Sequence, residues 1–373
     1  MIRTRRGDTH RMIRWLWTSR RLDARLARLA LLPAAGLWRI GMGARRAGYA
    51  RGWIAIHDLP LPSVAVGNLT VGGSGKTPVA IWIARHYRDR GLVPGVLLRG
   101  YRGGDEARVH ERAVPEAVVV ADPDRRAGAE RALARGANVL VLDDAYQRMD
   151  VRRDLNVVVV SAETSRAVRW PLPAGPWREG LAALDRADVL VVTRKRAGPD
   201  VALALAAELG PRVAGPVAVV HLGLRRLEGL LSGRPTGAEH LAGRRVVAAA
   251  AIADPDAFVA QLKGLGAAVQ VATWPDHHEF REEDVAWLAR ASRKADHVVI
   301  TEKDAVKLRH RWPASAPEPL VAQLDPVWEH GEADLVAALD AVVTPVEQLG
   351  APIGPDRPDS RTHRPAPPRT GQP

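Results

Sequence analysis

No cysteine occurs among the 373 residues, which removes disulfides, thiolate metal sites and cysteine nucleophiles in one step. That absence fits a reducing compartment. Long apolar runs are missing too. The longest uncharged run near the start, Leu29 to Trp38, contains Pro33 and falls far short of the roughly 20 residues that span a bilayer. No small-residue cleavage site follows a clean apolar core, so a secretory leader is not expected. There is no HExxH pattern, no internal repeat, and almost no acid in the first 51 residues, where Asp8 and Asp23 stand against arginine at thirteen positions.

What is present is a chain with 46% hydrophobic residues and a formal charge of +12, long enough for one large core or two moderate ones. Arginine far outnumbers lysine, which follows genome composition more than function. Within the basic arm lie Leu26, Leu29, Leu31, Leu32, Leu37, Trp38, Ile40 and Met42. Basic residues mixed with Leu and Trp suit a helix lying among anionic headgroups. The same pattern also suits a solvated helix with one face packed on its own domain. The arm lacks the Gly-aromatic signatures of RNA or DNA modules, so a nucleic-acid partner is not expected.

After the arm, short β-branched runs alternate with amphipathic stretches. Strands are expected at Ser63–Val66, Pro94–Leu98, Ala117–Ala121, Asn138–Leu142, Asn156–Val160, Val189–Thr193, Pro216–Leu222, Arg245–Ala251, Ala268–Thr273 and His297–Thr301. Helices are expected among others at Arg125–Ala134, Asp256–Leu265, Glu282–Ser292 and Glu332–Leu339. This order predicts parallel βαβ units in a doubly wound α/β sheet. The Gly- and polar-rich stretch Arg225–Leu241 reads as a connection. The expected organisation is therefore a membrane-facing arm at 1–57, a nucleotide-binding lobe at 58–224, a second, smaller α/β lobe at 225–343 and a disordered Pro-rich tail at 344–373.

The most informative stretch is Val66-Gly67-Asn68-Leu69-Thr70-Val71-Gly72-Gly73-Ser74-Gly75-Lys76-Thr77, between an apolar strand and a helix at Pro78–Tyr87. Such a glycine-rich turn lets backbone N–H groups and a helix N-terminus converge on phosphate oxygens. In this P-loop pattern Gly72, Gly73, Ser74, Gly75, Lys76 and Thr77 would bind a nucleotide, with Lys76 on the β- and γ-phosphates and Thr77 on Mg²⁺. The strict pattern has Gly where this chain has Thr70, so the loop is a variant.

Downstream, Leu140-Val141-Leu142-Asp143-Asp144 has the form of a Walker B strand whose carboxylates support Mg²⁺. The run Arg99-Gly100-Tyr101-Arg102-Gly103-Gly104-Asp105-Glu106 follows the second strand, where a carboxylate could accept a proton from a substrate hydroxyl. Trp274-Pro275-Asp276-His277-His278-Glu279-Phe280 follows a strand of the second lobe. Adjacent histidines on extended backbone point apart, so a shared zinc is not expected, and proton shuttling or carboxylate orientation remains. Lys303 and Lys307 could meet anionic substrate or be solvated helix charges. Pro171-Leu172-Pro173-Ala174-Gly175-Pro176-Trp177-Arg178 is either an ordered loop aiming Arg178 at phosphate or a rigid connector.

Taken in order, six landmarks resemble the tetraacyldisaccharide 4'-kinase family, the lipid A 4'-kinases of Gram-negative envelopes. They are VGNLTVGGSGKTPV at 66–79, LLRGYRGG at 97–104, LDDAYQR at 142–148, LPAGPWRE at 172–179, PDHHEF at 275–280 and TEKDAVKL at 301–308. The resemblance runs from Leu29 to Leu339 and leaves the Arg-rich residues 1–20 ahead of it. It implies ATP- and Mg²⁺-dependent phosphorylation of the 4'-hydroxyl of an acylated disaccharide 1-phosphate. It also implies peripheral, monotopic attachment to the cytoplasmic face of the inner membrane through the arm. A monomer is expected.

By carry-over onto this sequence, Asp105 is the base, coupled to a histidine of the 277–278 pair with His278 preferred, and Lys76 acts on the transferred phosphate. Asp143 and Asp144 serve Mg²⁺, while Asn68, Arg99, Tyr101, Gln147, Arg148 and Arg178 face substrate. Two departures stand out. The spacer before Gly104-Asp105-Glu106-Ala107 is shorter than the family's, and Arg148 occupies a histidine position. Arginine clamps phosphate but does not titrate near neutrality. These departures keep a second reading open, a membrane-associated P-loop ATPase or an inactive nucleotide-binding scaffold.

Overall fold

The computed structural model describes residues 12–13, 15–100, 104–164 and 168–344; Tyr101 and, beyond Thr344, the tail expected at 344–373 lie outside them. Two helices, α1 (Leu22–Ala30) and α2 (Leu32–Ala50), form the arm. The body is a twelve-stranded sheet with strands β1 (Ser63–Asn68), β2 (Pro94–Leu98), β3 (Val118–Ala121), β4 (Val139–Asp143), β5 (Leu155–Ser161), β6 (Val189–Arg194), β7 (Val217–Gly229), β8 (Pro235–Gly237), β9 (Arg245–Ala250), β10 (Ala268–Thr273), β11 (His297–Thr301) and β12 (Leu320–His330). Helices α3 (Lys76–Asp89), α4 (Asp105–Ala113), α5 (Arg125–Ala134), α6 (Pro199–Leu209), α7 (Pro255–Gly264), α8 (Glu282–Ser292), α9 (Glu302–Leu308) and α10 (Glu332–Val343) intervene. The doubly wound, mostly parallel α/β architecture is the one the alternating pattern predicts.

Along the sheet the order is β10-β9-β11-β12-β7-β6-β5-β1-β4-β2-β3, with β8 added beside β7. Every residue of β1, β2 and β4 is buried, which is why these strands read as continuous Val and Leu runs rather than alternating ones. β1 lies between β4 and β5, parallel to both. The chain winds one way from β1 to β2, β3 and β4, and the other way to β5 and β6. That reversal opens a crevice beyond the carboxyl ends of the strands, the usual place for a ligand in such a sheet. The P-loop leaves β1 into that crevice.

The halves meet along β7 and β12, the long antiparallel pair from Leu320 opposite Gly229 to His330 opposite Val219. Part of the stretch expected as a connection, Arg225–Leu241, is thus the second half of β7 and the short β8. Its exposed, charged side chains disguise the strand. β12 carries no strand signal in the sequence, because Pro326 interrupts it and a register shift falls between Gln323 and Leu324. The final helix also departs from the expected limits of the second lobe. Leu335 and Leu339 of α10 are buried with Ile83 and Tyr87 of α3, and the Tyr87 hydroxyl donates to the Leu339 carbonyl at 3.0 Å.

On the arm, Leu22, Leu37 and Ile40 are each about 70% exposed, while Ala24, Arg28 and Ala35 are buried. Arg28 donates to the carbonyls of Leu16 at 2.6 Å and Ser19 at 2.9 Å. Two tryptophans pin this region to the body. Trp17 Nε1 donates to Pro173 O at 3.0 Å and Trp38 Nε1 to Arg178 O at 2.8 Å. Among the described residues no helix is long and apolar enough to cross a membrane.

Candidate active site

The turn after β1 depends on glycine, most plainly at Gly75. Gly75 has φ +86°, and a Cβ there would stand 2.3 Å from a methyl of Leu222. α3 begins at the next residue, Lys76, so its free N–H groups face the loop. Thr70 is not among the residues of positive φ. It forms a short antiparallel bridge with Trp177, which explains why this variant position needs no glycine. Asn68 Nδ2 donates to Thr70 O at 2.7 Å and to Ser74 Oγ at 2.8 Å, stiffening the turn from inside. Two side chains from the end of β6 and just beyond close over it: Thr193 Oγ1 donates to Ser74 O at 2.6 Å and Lys195 Nζ to Gly73 O at 2.9 Å.

At the end of β4 the two carboxylates diverge. Asp143 is buried, and its Oδ1 accepts the Asp144 N–H at 2.8 Å. Its Oδ2 lies 3.1 Å from His110 Nε2. Burial alone would raise its pKa, but the His110 hydrogen bond and the charges of His110, Lys76 and Lys303 outweigh it and hold the carboxyl at about 2. Asp144 takes a positive φ of 51°, which an aspartate tolerates, and turns the other way. Its Oδ1 is 3.1 Å from Arg178 Nη1 and 3.9 Å from Lys76 Nζ.

The same Arg178 nitrogen reaches Gln147 Oε1 at 3.3 Å, and Gln147 Nε2 donates to Asn68 O at 2.7 Å. The Pro-rich segment is therefore an ordered loop. It is stitched to the P-loop by Val71 N to Pro176 O at 2.8 Å and Arg178 N to Leu69 O at 2.8 Å. Asn68, Lys76, Asp144, Gln147 and Arg178 form one connected network.

Asp105 opens α4 behind Gly104, whose φ is +75°, and its side chain is buried. Lys307 Nζ lies 2.9 Å from Asp105 Oδ2. That oxygen receives no hydrogen bond of good geometry among the described residues; Lys307 directs its bond at His278 O, 3.0 Å away. His277 Nδ1 stands 3.9 Å from the same Asp105 oxygen. His278, the preferred partner from sequence, points elsewhere. Its Nε2 is 2.7 Å from Asp284 Oδ2, in a cluster completed by Trp274 Nε1 donating to Asp284 Oδ1 at 2.9 Å. His277 takes a positive φ of 60° between the two. It is His277 that faces Asp105.

Two other expected residues, Arg148 and Arg99, are placed apart. Arg148 forms a two-pronged ion pair with Asp150, at 2.9 and 2.7 Å, so its guanidinium is engaged beside β4 and outside the phosphate network. Arg99 is exposed just after β2. Lys303 lies 3.5 Å from Glu106. A cavity of about 1280 Å³ joins the halves, lined by the P-loop, Asp144 and Arg178 on one side and by Asp254, His277 and Lys303 on the other. His110, Lys195 and the buried Arg125, which donates to Asp143 O at 3.1 Å, are contributors that sequence reasoning missed. Each lies in a segment with no motif of its own.

Thr77, Asp143 and Asp144 supply a hydroxyl and two carboxylates, the oxygen donors a hard divalent cation takes. Among the described residues no group of three or more His, Asp or Glu forms a complete metal cage.

Residues 27–344 match the family model described as tetraacyldisaccharide-1-P 4'-kinase. A tetraacyldisaccharide 4'-kinase of Anaeromyxobacter sp. (strain Fw109-5) is 36% identical over 354 residues, covering 87% of this chain and 94% of the relative. One from Aromatoleum aromaticum is 36% identical over 312 residues, covering 78% and 87%. Among solved structures, LpxK from Aquifex aeolicus in complex with ATP superposes with a TM-score of 0.67 at 26% identity, covering 85% of this chain and all of that one.

Proposed function

The chain belongs to the tetraacyldisaccharide-1-P 4'-kinase family, and from that premise we propose that its own residues carry ATP-dependent phosphorylation of the 4'-hydroxyl of a tetraacyldisaccharide 1-phosphate in lipid A biosynthesis. The observation that supports this most is that one cavity is lined both by Lys76 of the P-loop and by His277, the neighbour of Asp105. Donor and acceptor chemistry can therefore meet within it. ATP would lie along residues 72–77, its phosphates against the loop N–H groups and Lys76. Thr77, Asp143 and Asp144 would hold Mg²⁺, which supplies neutralisation of phosphate charge when bound.

The residues then divide the work. Lys76 and Arg178 stabilise charge on the transferred group, with Asp144 and Gln147 fixing where Arg178 points. Asp105 accepts the proton of the attacking sugar hydroxyl, with His277 orienting or relaying it. Asn68 keeps the loop in shape for the phosphates. Positioning and electrostatics supply most of the rate, as phosphoryl transfer requires little covalent chemistry from the protein. The acylated acceptor would be reached from the cytoplasmic face of the inner membrane, with the exposed Leu22, Leu37 and Ile40 of the arm in the lipid interface and its arginines among anionic headgroups.

The test follows radiolabelled γ-phosphate in detergent, with and without the lipid acceptor. Label at the 4' position is expected, and Lys76→Ala should abolish it while leaving acceptor binding intact. Nucleotide hydrolysis with no label in the lipid would refute the acceptor assignment.

A further inference from the structure

Helix α4 carries two polar groups into the protein on different faces. Asp105 at its start meets Lys307 and His277. His110, just over one turn later, enters the sheet side and is fully buried. Its Nε2 lies 3.1 Å from Asp143 Oδ2, and its Nδ1 has no hydrogen-bond partner among the described residues. A buried, unpartnered ring nitrogen is a cost that folding alone does not reward, since a leucine would fill the space without it. The direction of the bond follows from the acceptor. An ionised carboxylate can only accept, so Nε2 carries the hydrogen and donates it.

Both Asp143 oxygens consequently have a fixed protein donor, Oδ1 from the Asp144 N–H and Oδ2 from His110. A carboxylate held at both oxygens cannot rotate about its terminal bond. The lone pairs left over point in one set of directions only. Resting on the reading of Asp143 as a cation-binding carboxylate, we propose that His110 is a positioning residue. Its Nε2–H fixes the orientation in which Asp143 meets the divalent cation, and the same bond pins α4, and with it Asp105, to the end of β4. Losing an outer-shell donor of this kind typically costs about 10- to 100-fold in metal affinity.

The experiment compares His110→Leu, which removes the donor, with His110→Gln, whose side-chain amide N–H can replace it. Mn²⁺ binding is measured by electron paramagnetic resonance in the presence of a non-hydrolysable ATP analogue, without turnover. Nucleotide affinity is measured in parallel without metal. The leucine variant should bind Mn²⁺ about 10- to 100-fold more weakly, with metal-free nucleotide affinity unchanged, and glutamine should recover to within a few-fold of the parent. Equal Mn²⁺ affinity in leucine and parent proteins overturns the proposal. So does a glutamine variant as weak as leucine, which would assign His110 to packing. If the leucine variant does not fold, His110→Met makes the same comparison. Asp143→Asn separates the premise from the proposal: undiminished Mn²⁺ binding there refutes Asp143 as a ligand, whatever His110 does.

Discussion

Lys307 Nζ stands 2.9 Å from Asp105 Oδ2 with both side chains buried, so helix α9 supplies the counter-charge for the carboxylate that opens helix α4. Breaking a buried pair strands the remaining charge, which costs about 3–5 kcal/mol. Lys307→Met should therefore destabilise the protein on that scale in chemical denaturation. The double variant Lys307→Met/Asp105→Asn should recover much of the loss. If single and double variants unfold alike, the two groups are not coupled.

The histidine pair makes a second, sharply divided prediction. His277→Ala should lower kcat by about 10²-fold or more, in the range of a lost acid–base partner, with little change in stability. His278→Ala should do the reverse. It removes a hydrogen bond to the Asp284 carboxylate, worth roughly 1.5–3 kcal/mol, and leaves the Asp105 surroundings in place. Melting temperatures and single-turnover rates on both variants decide the matter, and the opposite pattern would reinstate His278 as the partner.

Glu302 gives a pH dependence. Burial pushes its pKa up to about 7, with Arg85 opposing the rise and Glu228 and Asp325 adding to it. The folded protein holds this proton more tightly than the unfolded chain, whose glutamate titrates near 4.5. The stabilisation is present in full below about pH 4.5 and is lost as the pH climbs through 7. Glu302→Gln should accordingly raise the unfolding free energy at pH 8 and leave it unchanged at pH 4.5. A variant with the same advantage at both values would place the effect outside ionisation.

Arg178 should not be replaceable by lysine. Its Nη1 alone reaches both Asp144 and Gln147, and a lysine ammonium lacks the planar fork that spans two acceptors while keeping donors for phosphate. Arg178→Lys is expected to lower kcat/KM about 10-fold or more. Stability should stay within about 0.5 kcal/mol of the parent, as is usual for a part-exposed side chain. Full activity in the lysine variant would remove Arg178 from the phosphate network.

The P-loop, the paired carboxylates after β4 and ten of the twelve strands could be read from the chain because each is a local signal. The glycine spacing of 72–75 and the Val runs of β1 and β5 are complete within a few residues. β12 was hidden because its strand character comes from pairing with β7 and not from its own pattern around Pro326. Which of His277 and His278 faces Asp105 is set by where helices α4 and α8 place Asp105 and Asp284, and neighbouring letters carry no trace of it. His110 and Lys195 reach the site from helices and loops brought there by the sheet order, so only tertiary packing exposes them. Arg148 was aligned by motif, but its nearest partner, Asp150, lies two residues along and captures it.

The hydrogen bonds from Trp17 and Trp38 to the loop at 171–178 have a consequence for any attempt to make the enzyme soluble by trimming its beginning. Each indole N–H terminates on a carbonyl of the loop that carries Arg178 and braces the phosphate turn. Removing the arm would take away two fasteners of the reaction chamber along with its greasy outer surface. Turnover should decline in such truncations even where the acceptor is supplied in detergent, because the part proposed to face lipid is also a wall of the cavity that holds Lys76 and His277.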